Sequence, residues 1–462
     1  MDESGGEIAG RGAKPSYDGA AAGKDRLSAL PDDTLVLILL RLDTAAAAGR
    51  TSVLSRRWRR VWTLLPELRL SFSPAPHLIA AALAAHEAPL RLLFVGAQHA
   101  AVEPVADCLR TTARRLSGQF IVENRGNANE VGDEEASFEL PCFERATTVS
   151  LDLGFLGMAP PPAGVFARFT ELTLISIWFQ GPTDLGDAVS SPRCPSLQKL
   201  SVRYTIGLVN LAIHSESLLE VELKNMFGLR QLIIHALTLK ELSLLDCFAW
   251  SKPVADISAP QFESLHWRDI YDPSSVQLDE MAQLQWLTTN FFLVYGRHGS
   301  ATNHAFLRLL ERFQALDTLH ISLFYPKHIG DFQYLMEDIM VLPRLVGLAI
   351  HIRNEGHAFG ASVFNVLRMC SGTMFMPIIS GCICDQSMNW KTEELALNRL
   401  CEVLIIDMKG CEHELAFVKR LFSWATMLKS VKVQFTSIAA RPRKCMKRDS
   451  SGSFFPNCGE AL

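Results

Sequence analysis

Leu197-Gln-Lys-Leu200-Ser-Val202, Leu218-Leu-Glu-Val221-Glu-Leu223 and Leu239-Lys-Glu-Leu242-Ser-Leu244 spell one pattern three times. The same template, with aliphatic or aromatic substitutes, starts again at Phe262, Leu284, Leu316 and Leu345. The starts are 21, 21, 23, 22, 32 and 29 residues apart. A second set begins at Leu208 and Leu229, half-way between, so the apolar triplet recurs every 10 or 11 residues from Leu197 to Leu239. Its last two members are two residues apart, the period of a strand with one face buried. The economical account is a coil of about 21 residues carrying two extended segments, one on each side of a stack.

A single coil has one apolar edge and nothing to bury it against. Neighbouring coils cover one another, and their strands pair into a parallel sheet along one face. Each buried Leu or Ile contributes about 1.5–3 kcal/mol, so many equal layers hold the stack. Ser201, Arg203, Glu222, Lys224, Ser243 and Asp246 fall between the inward positions and are expected to face outward. They form a curved surface suited to gripping another protein. The pattern, including Leu239-Lys-Glu-Leu-Ser-Leu-Leu-Asp-Cys247, is that of the leucine-rich-repeat architecture in an irregular form. The two long intervals predict insertions, for example a helical one over Tyr325–Met340.

Upstream, residues 25–70 read DRLSALPDDTLVLILLRLDTAAAAGRTSVLSRRWRRVWTLLPELRL. Leu30-Pro31 followed by Asp32-Asp33 is a helix start, with acids at the positive end. Leu35, Ile38, Leu39 and Leu42 fall on one helical face, Gly49 interrupts, and Leu54, Trp58, Val61 and Trp62 form a second stripe. Arg56, Arg57, Arg59 and Arg60 are read as a solvated face. Forty-odd residues of short helices cannot enclose this apolar surface alone.

Asp25, Leu30-Pro31-Asp32, Thr51-Ser-Val-Leu-Ser55, Arg57-Trp58 and Trp62 resemble the F-box of plant proteins, D-x-x-x-x-LPD closing on T-S-x-LS-x-RW. The resemblance implies a docking module for a Skp-type adaptor and, through it, a cullin. Carried over, the adaptor-facing residues are Leu30, Pro31, Leu35, Ile38, Leu39, Val53, Leu54 and Trp58. Asp43–Gly49 departs from the family, which usually carries Pro and larger apolar residues there.

Between the two regions, helices are expected over His77–His86 and Val102–Leu116. Strands are expected over Leu90–Val95, Gln119–Val122, Thr148–Leu153 and Glu171–Ile177, with a polar loop over Gly126–Ala136. Near the end, Cys401–Gly410 reads as strand and turn, Glu412–Trp424 as helix and Ser430–Phe435 as strand. This order resembles the FBD segment of plant F-box proteins, an α+β unit that closes an open stack. The expected α/β organisation is therefore a disordered lead-in (1–24), a helical F-box (25–70), a repeat array (71–389), an FBD-like segment (390–437) and a disordered tail (438–462).

With 45 basic against 49 acidic residues, net charge −4, the chain has no global attraction to nucleic acid or anionic membrane. No apolar run approaches the roughly 20 residues that span a bilayer. The N-terminus lacks the basic and apolar segments of a secretory signal, so cytoplasm and nucleus are the expected compartments. The eleven cysteines lack repeated spacing and read as reduced thiols. Cys382-x-Cys384 is the one close pair, and no C-x-x-C block supports zinc. His320 and His351 lie in or beside repeat strands, where hydrogen-bonded structural histidines are expected. No motif for hydrolase, nucleotide or metalloprotease chemistry occurs, and no cofactor is expected. The resemblance thus implies the substrate-recognition subunit of an SCF-type ubiquitin ligase, itself non-catalytic, which holds an unidentified protein on the repeat surface. The alternative is a repeat scaffold with a degenerate F-box.

Overall fold

The computed structural model describes residues 29–435 apart from 43–44, 72–76, 127–136, 181–183, 249–251, 280, 298–299, 314–315, 330–331, 337–338, 340–344, 354–356, 358, 371–393, 398–399 and 409–411. It also describes 444–448 and 454–456. The expected lead-in, the polar loop over 127–136 and the Cys382–Cys384 pair lie outside the described residues.

The N-terminal module has three short helices, α1 (Asp32–Leu39), α2 (Ala45–Arg50) and α3 (Trp58–Val61). Asp32 and Asp33 occupy the first turn of α1, where the helix dipole favours negative charge. Gly49 does not interrupt. It sits within α2, whose alanine run is the best intrinsic helix former and whose Ala48 is buried. The arginine face is not simply solvated either. Arg57 is half-buried: its Nε donates to Asp32 Oδ1 at 2.7 Å, and its guanidinium also reaches the Leu30 carbonyl, pinning the start of α1 to α3.

From this module the chain passes straight into β1 (Glu67–Ser71). Then come α4 (His77–Ala85), β2 (Leu90–Gln98), α5 (Val102–Ala113), β3 (Leu116–Arg125), β4 (Ser137–Glu139), β5 (Thr148–Ala159) and β6 (Glu171–Phe179). After α6 (Leu185–Val189) stand β7 (Lys199–Ile206), β8 (Asn210–Ser215), β9 (Glu220–Phe227), β10 (Gln231–Ala236) and β11 (Glu241–Leu245). Next are β12 (Val254–Ser258), β13 (Ser264–Arg268), β14 (Val276–Leu278), β15 (Trp286–Leu293), β16 (Tyr295–Gly296) and α7 (Ala301–Arg312). The last are β17 (Thr318–Phe324), β18 (Gln333–Tyr334), β19 (Gly347–Arg353), α8 (Gly360–Cys370), β20 (Glu402–Met408), α9 (Glu412–Trp424), β21 (Ser430–Phe435), β22 (Lys444–Arg448) and β23 (Phe454–Pro456).

Each of the seven template positions from Leu197 to Leu345 is followed two residues later by a strand: β7, β9, β11, β13, β15, β17 and β19. These strands pair in parallel, each with the next. The ladder extends backward through β6, β5, β3 and β2 to β1, and forward through β20 to β21, parallel throughout. The half-period triplets form a second parallel sheet, β8–β10–β12–β14, on the other side. Leucines of the two sheets face each other. Leu200, Val202, Leu211, Ile213, Val221, Leu223, Leu232 and Ile234 are all buried, in one apolar cluster that runs from Leu35 to Val433.

Four features refine the sequence reading. First, β1 lies inside residues 25–70, so the helical module ends near Leu65 and its last residues already belong to the sheet. Second, the helical insertion falls at α7 rather than Tyr325–Met340. In the latter stretch, β18 pairs antiparallel with β16. Asn303 fastens α7 to β15, donating to the Leu293 carbonyl at 3.0 Å and accepting from the Leu293 N–H at 2.9 Å. Third, β20–α9–β21 continues the parallel sheet without a break. Fourth, the expected disordered tail contributes β22 and β23, antiparallel on the edge of β21. An uncovered edge offers a row of unpaired N–H and C=O groups, and a short hairpin satisfies them.

Where the central strands end, Ser176, Tyr204, Asn225 and Asp246 all carry a φ of 51–54°. Each directly follows the register row Ile175–Arg203–Lys224–Leu245. Left-handed conformations are uncommon for residues with a side chain. Here they recur because parallel neighbours impose the same bend on one another.

Leu223 faces inward between β7 and β11 and is fully buried. Leu223→Ala is expected to cost about 2–5 kcal/mol in denaturant unfolding. Ser243→Ala, on the opposite face of the adjoining strand, is expected to change stability by less than about 0.5 kcal/mol. Equal losses at the two positions would contradict the inside–outside assignment.

Candidate interaction surfaces

Two surfaces hold the residues that the sequence singled out. On the N-terminal module, Leu35, Leu39 and Trp58 point inward and are buried in the chain's own core, Trp58 being 5% exposed. Leu30 is half-buried, while Pro31 and Ile38 are exposed. Val53 and Leu54, in the turn between α2 and α3, stand 83% and 62% exposed. Leu37, 63% exposed, and Leu42 join them. Of the eight expected docking residues, the structure therefore brings Pro31, Ile38, Val53 and Leu54 to the surface and puts Leu35, Leu39 and Trp58 beneath it. The helical stripe is split: the chain covers Leu35 and Leu39 and leaves Ile38 and Leu42 exposed. Leu37 lies off that stripe and was missed. The available signal was that Leu35–Leu40 is apolar all round, since a helix of that kind has something on both sides.

Polar and apolar contacts tie the module to the first strands of the sheet. Arg60 pairs with Glu87 at 3.1 Å. His86 Nε2 lies 2.8 Å from the Leu65 carbonyl, and burial holds its pKa below the usual histidine value. Val61, Leu65 and Leu68 share the apolar cluster with Leu90 and Leu93.

The second surface is the outer face of the long sheet, where β6 to β13 line a cleft of about 460 Å³. Parallel register stacks equivalent residues into rows. One row runs Glu171, Lys199, Glu220, Glu241, Ser264, Trp286. The next runs Thr173, Ser201, Glu222, Ser243, His266, Thr288, His320. The third runs Ile175, Arg203, Lys224, Leu245, Arg268. Ser201, Arg203, Glu222, Lys224 and Ser243 thus line the cleft, as expected of outward residues, and Asp246 is exposed beyond it.

Most charges here are matched. Lys199 pairs with Glu220 at 2.8 Å. Glu222 accepts from Ser201 at 2.8 Å and Arg203 Nε at 2.7 Å, and also pairs with Lys224. Burial works against the Glu222 charge, but these donors outweigh it and hold the carboxyl below the usual range. Beyond Glu222 the balance changes. Arg268 is half-buried and, among the described residues, has no carboxylate partner. His266 Nδ1 lies 2.7 Å from Thr288 Oγ1, and its pKa is lowered, chiefly by burial, with Arg268 and Lys224 adding to the effect. The expectation of a hydrogen-bonded His320 does not hold at Nε2, which is buried and without a partner. Burial, then Arg268, His351 and His266, push this histidine down to about 4.

Cys108 and Cys194 are pushed by burial to about 11 and about 12, and Cys247 higher still, which makes them inert thiols. Among the described residues no His, Cys, Asp and Glu group has the geometry to hold a metal, and no helix is long and apolar enough to cross a membrane.

Comparison with known proteins bears on the N-terminal module. Residues 27–70 match the F-box domain family, so the chain carries an F-box. It is similar to plant F-box/FBD/LRR-repeat proteins. One putative member from Arabidopsis thaliana is 54% identical over 50 residues, covering 11% of this chain and 13% of the relative. A second is 30% identical over 206 residues, 42% of this chain and 44% of the relative. A third is 27% identical over 296 residues, 59% and 57% respectively. The chain thus spans little more than half the length of these relatives at most. No solved structure matches it.

Between its ordinary pKa of 6.5 and about 4, His320 takes up a proton in the unfolded chain but not in the folded one. Its contribution to stability is therefore expected to be whole above pH 6.5 and to fall as pH drops toward about 4. Denaturant midpoints measured across that window should decline less steeply in His320→Gln than in the wild type. Parallel slopes would refute the buried neutral assignment.

Proposed function

We propose that this chain is the substrate-recognition subunit of an SCF-type ubiquitin ligase. The observation that carries the reading is the set of uncovered apolar side chains on an F-box that is otherwise packed into its own chain: Leu37, Ile38, Val53 and Leu54. Water-exposed Val and Leu at this density, on a module with a buried underside, mark a surface made for a partner. The Skp-type adaptor is that partner, and a cullin joins through it. Leu30 and Pro31 lie at the rim of the contact, while Leu35, Leu39 and Trp58 support it from below.

The long parallel sheet is a leucine-rich-repeat solenoid, its concave face holding a protein substrate. The β20–α9–β21 segment is the FBD-like unit at its far end. The chain supplies no bond chemistry. It raises the effective concentration of a substrate lysine near a thioester carried by another subunit, in cytoplasm or nucleus. One observation favours the alternative of a scaffold with a degenerate F-box: α2 offers the core only the small side chain of Ala48 where larger residues would pack.

The two readings separate on adaptor capture by the purified full chain. The double variant Val53→Asp, Leu54→Asp alters exposed residues only and is expected to reduce capture by about tenfold or more while the melting temperature holds. Trp58→Ala is a poor probe of docking, because truncating a buried Trp costs about 3–5 kcal/mol of folding stability. A wild-type chain that captures no Skp-type adaptor supports the scaffold. Capture that survives both aspartates places docking on another surface.

A further inference from the structure

We propose that the concave face between β9 and β17 binds an acidic segment of the substrate protein, with one carboxylate paired to Arg268 and an apolar residue laid against Trp286. This rests on the reading of that face as the substrate-holding surface.

The case begins with charge matching. Lys199 has Glu220, and Arg203 and Lys224 share Glu222. Arg268, in the same register row as Arg203 and Lys224, has no acid of its own among the described residues. The acid next to it in sequence, Asp269, is buried and already accepts from the N–H groups of Cys247 at 2.6 Å, Phe248 at 3.2 Å and Ile270 at 3.1 Å. A half-buried guanidinium without a counter-ion is unfavourable, and a carboxylate from outside relieves it with a charge-assisted pair.

The surroundings leave room for one. On β11 the row neighbour is Leu245, which cannot compete for the guanidinium. On the β15 side the pairing stops at Trp267–Thr289, and the register then shifts through a bulge before Phe291. Arg268 consequently has no row neighbour there. On the same face stand His266, two residues before it on β13 and 3.5 Å from Glu241, and His320 on β17; among the described residues no ion pair includes Arg268. Lys224 lies two strands away, roughly 10 Å at the usual strand spacing. An extended segment crossing the strands rises about 3.3 Å per residue, so carboxylates three apart reach Lys224 and Arg268 together.

Trp286 supplies the second anchor. It lies two residues before Thr288, hence on the same face, and is 53% exposed in a row where β6 to β13 carry polar or charged groups. Trp and Arg dominate the energetic centres of protein interfaces.

The test uses the purified full chain and a fluorescent peptide of glutamates flanking one phenylalanine, with the glutamine version as control. Fluorescence anisotropy at physiological ionic strength is expected to show the acidic peptide binding at least tenfold more tightly than the control. Arg268→Gln should erase that preference, and Arg268→Lys should keep part of it. Trp286→Ala should weaken both peptides about equally. Thermal melts confirm that each variant is folded. Adaptor capture, measured in parallel, should be unaffected by Arg268→Gln. Peptide binding without adaptor capture would sink the ligase reading and leave this site standing. No preference for glutamate, an unchanged preference in a folded Arg268→Gln chain, or tighter binding of a short single-stranded DNA would each overturn the proposal.

Discussion

Each strand of the long sheet has an apolar inner face that only its neighbours and the segments behind it can cover. That single constraint accounts for the parallel ladder running from Glu67 to Phe435 and for the second sheet behind it. It also explains why stability is spread over layers of buried leucine instead of concentrated in one centre. A chain built this way cannot stop abruptly. At one end the helical module shares its core with the first strands, and at the other β22 and β23 occupy the edge that β21 would expose.

The same regularity makes the outer face a lattice. Parallel register places chemically equivalent positions about 4.8 Å apart across the sheet, so charges decided by single codons become rows. Acids dominate one row, Arg203, Lys224 and Arg268 another, and the histidines lie between them. Where an acid falls between two cations, as Glu222 does, the surface neutralises itself. Beside Arg268, among the described residues, no acid does so. The asymmetry of this face therefore arises from a few substitutions on a uniform scaffold, which fits a fold whose frame is fixed and whose surface is free to vary.

The N-terminal module obeys a different economy. Its helices are too short to be stable alone, and they are held by burial of Leu35, Leu39, Trp58 and Val61, with Arg57 fastening the first turn to the last helix. The aliphatic side chains left outside, Leu37, Ile38, Val53 and Leu54, stand among exposed arginines. One short motif is thus divided between a covered face and an exposed one. The tryptophan and the arginine that make the motif recognisable serve the fold, while the plainer Val53 and Leu54 face the solvent.

The spacing of apolar residues was enough to locate most strands, because period-two burial leaves the same imprint in every coil. The starts at Leu197, Leu218 and Leu239, the helix at Glu412–Trp424 and the strand at Ser430–Phe435 were legible to the residue. The alternation also separated Glu222 and Lys224 from Val221 and Leu223. Tertiary structure alone decided which apolar stripe of α1 turns inward, because a short helix that is greasy on every side carries no mark of which face its own chain will cover. It also decided that residues 67–70 belong to the sheet, that the long insertion coils at 301–312, and that four non-glycine residues share a left-handed bend. Finally, the isolation of Arg268 depends on acids placed strands away and on a bulge in β15. Those are relations between distant segments, and sequence spacing records only what is near along the chain.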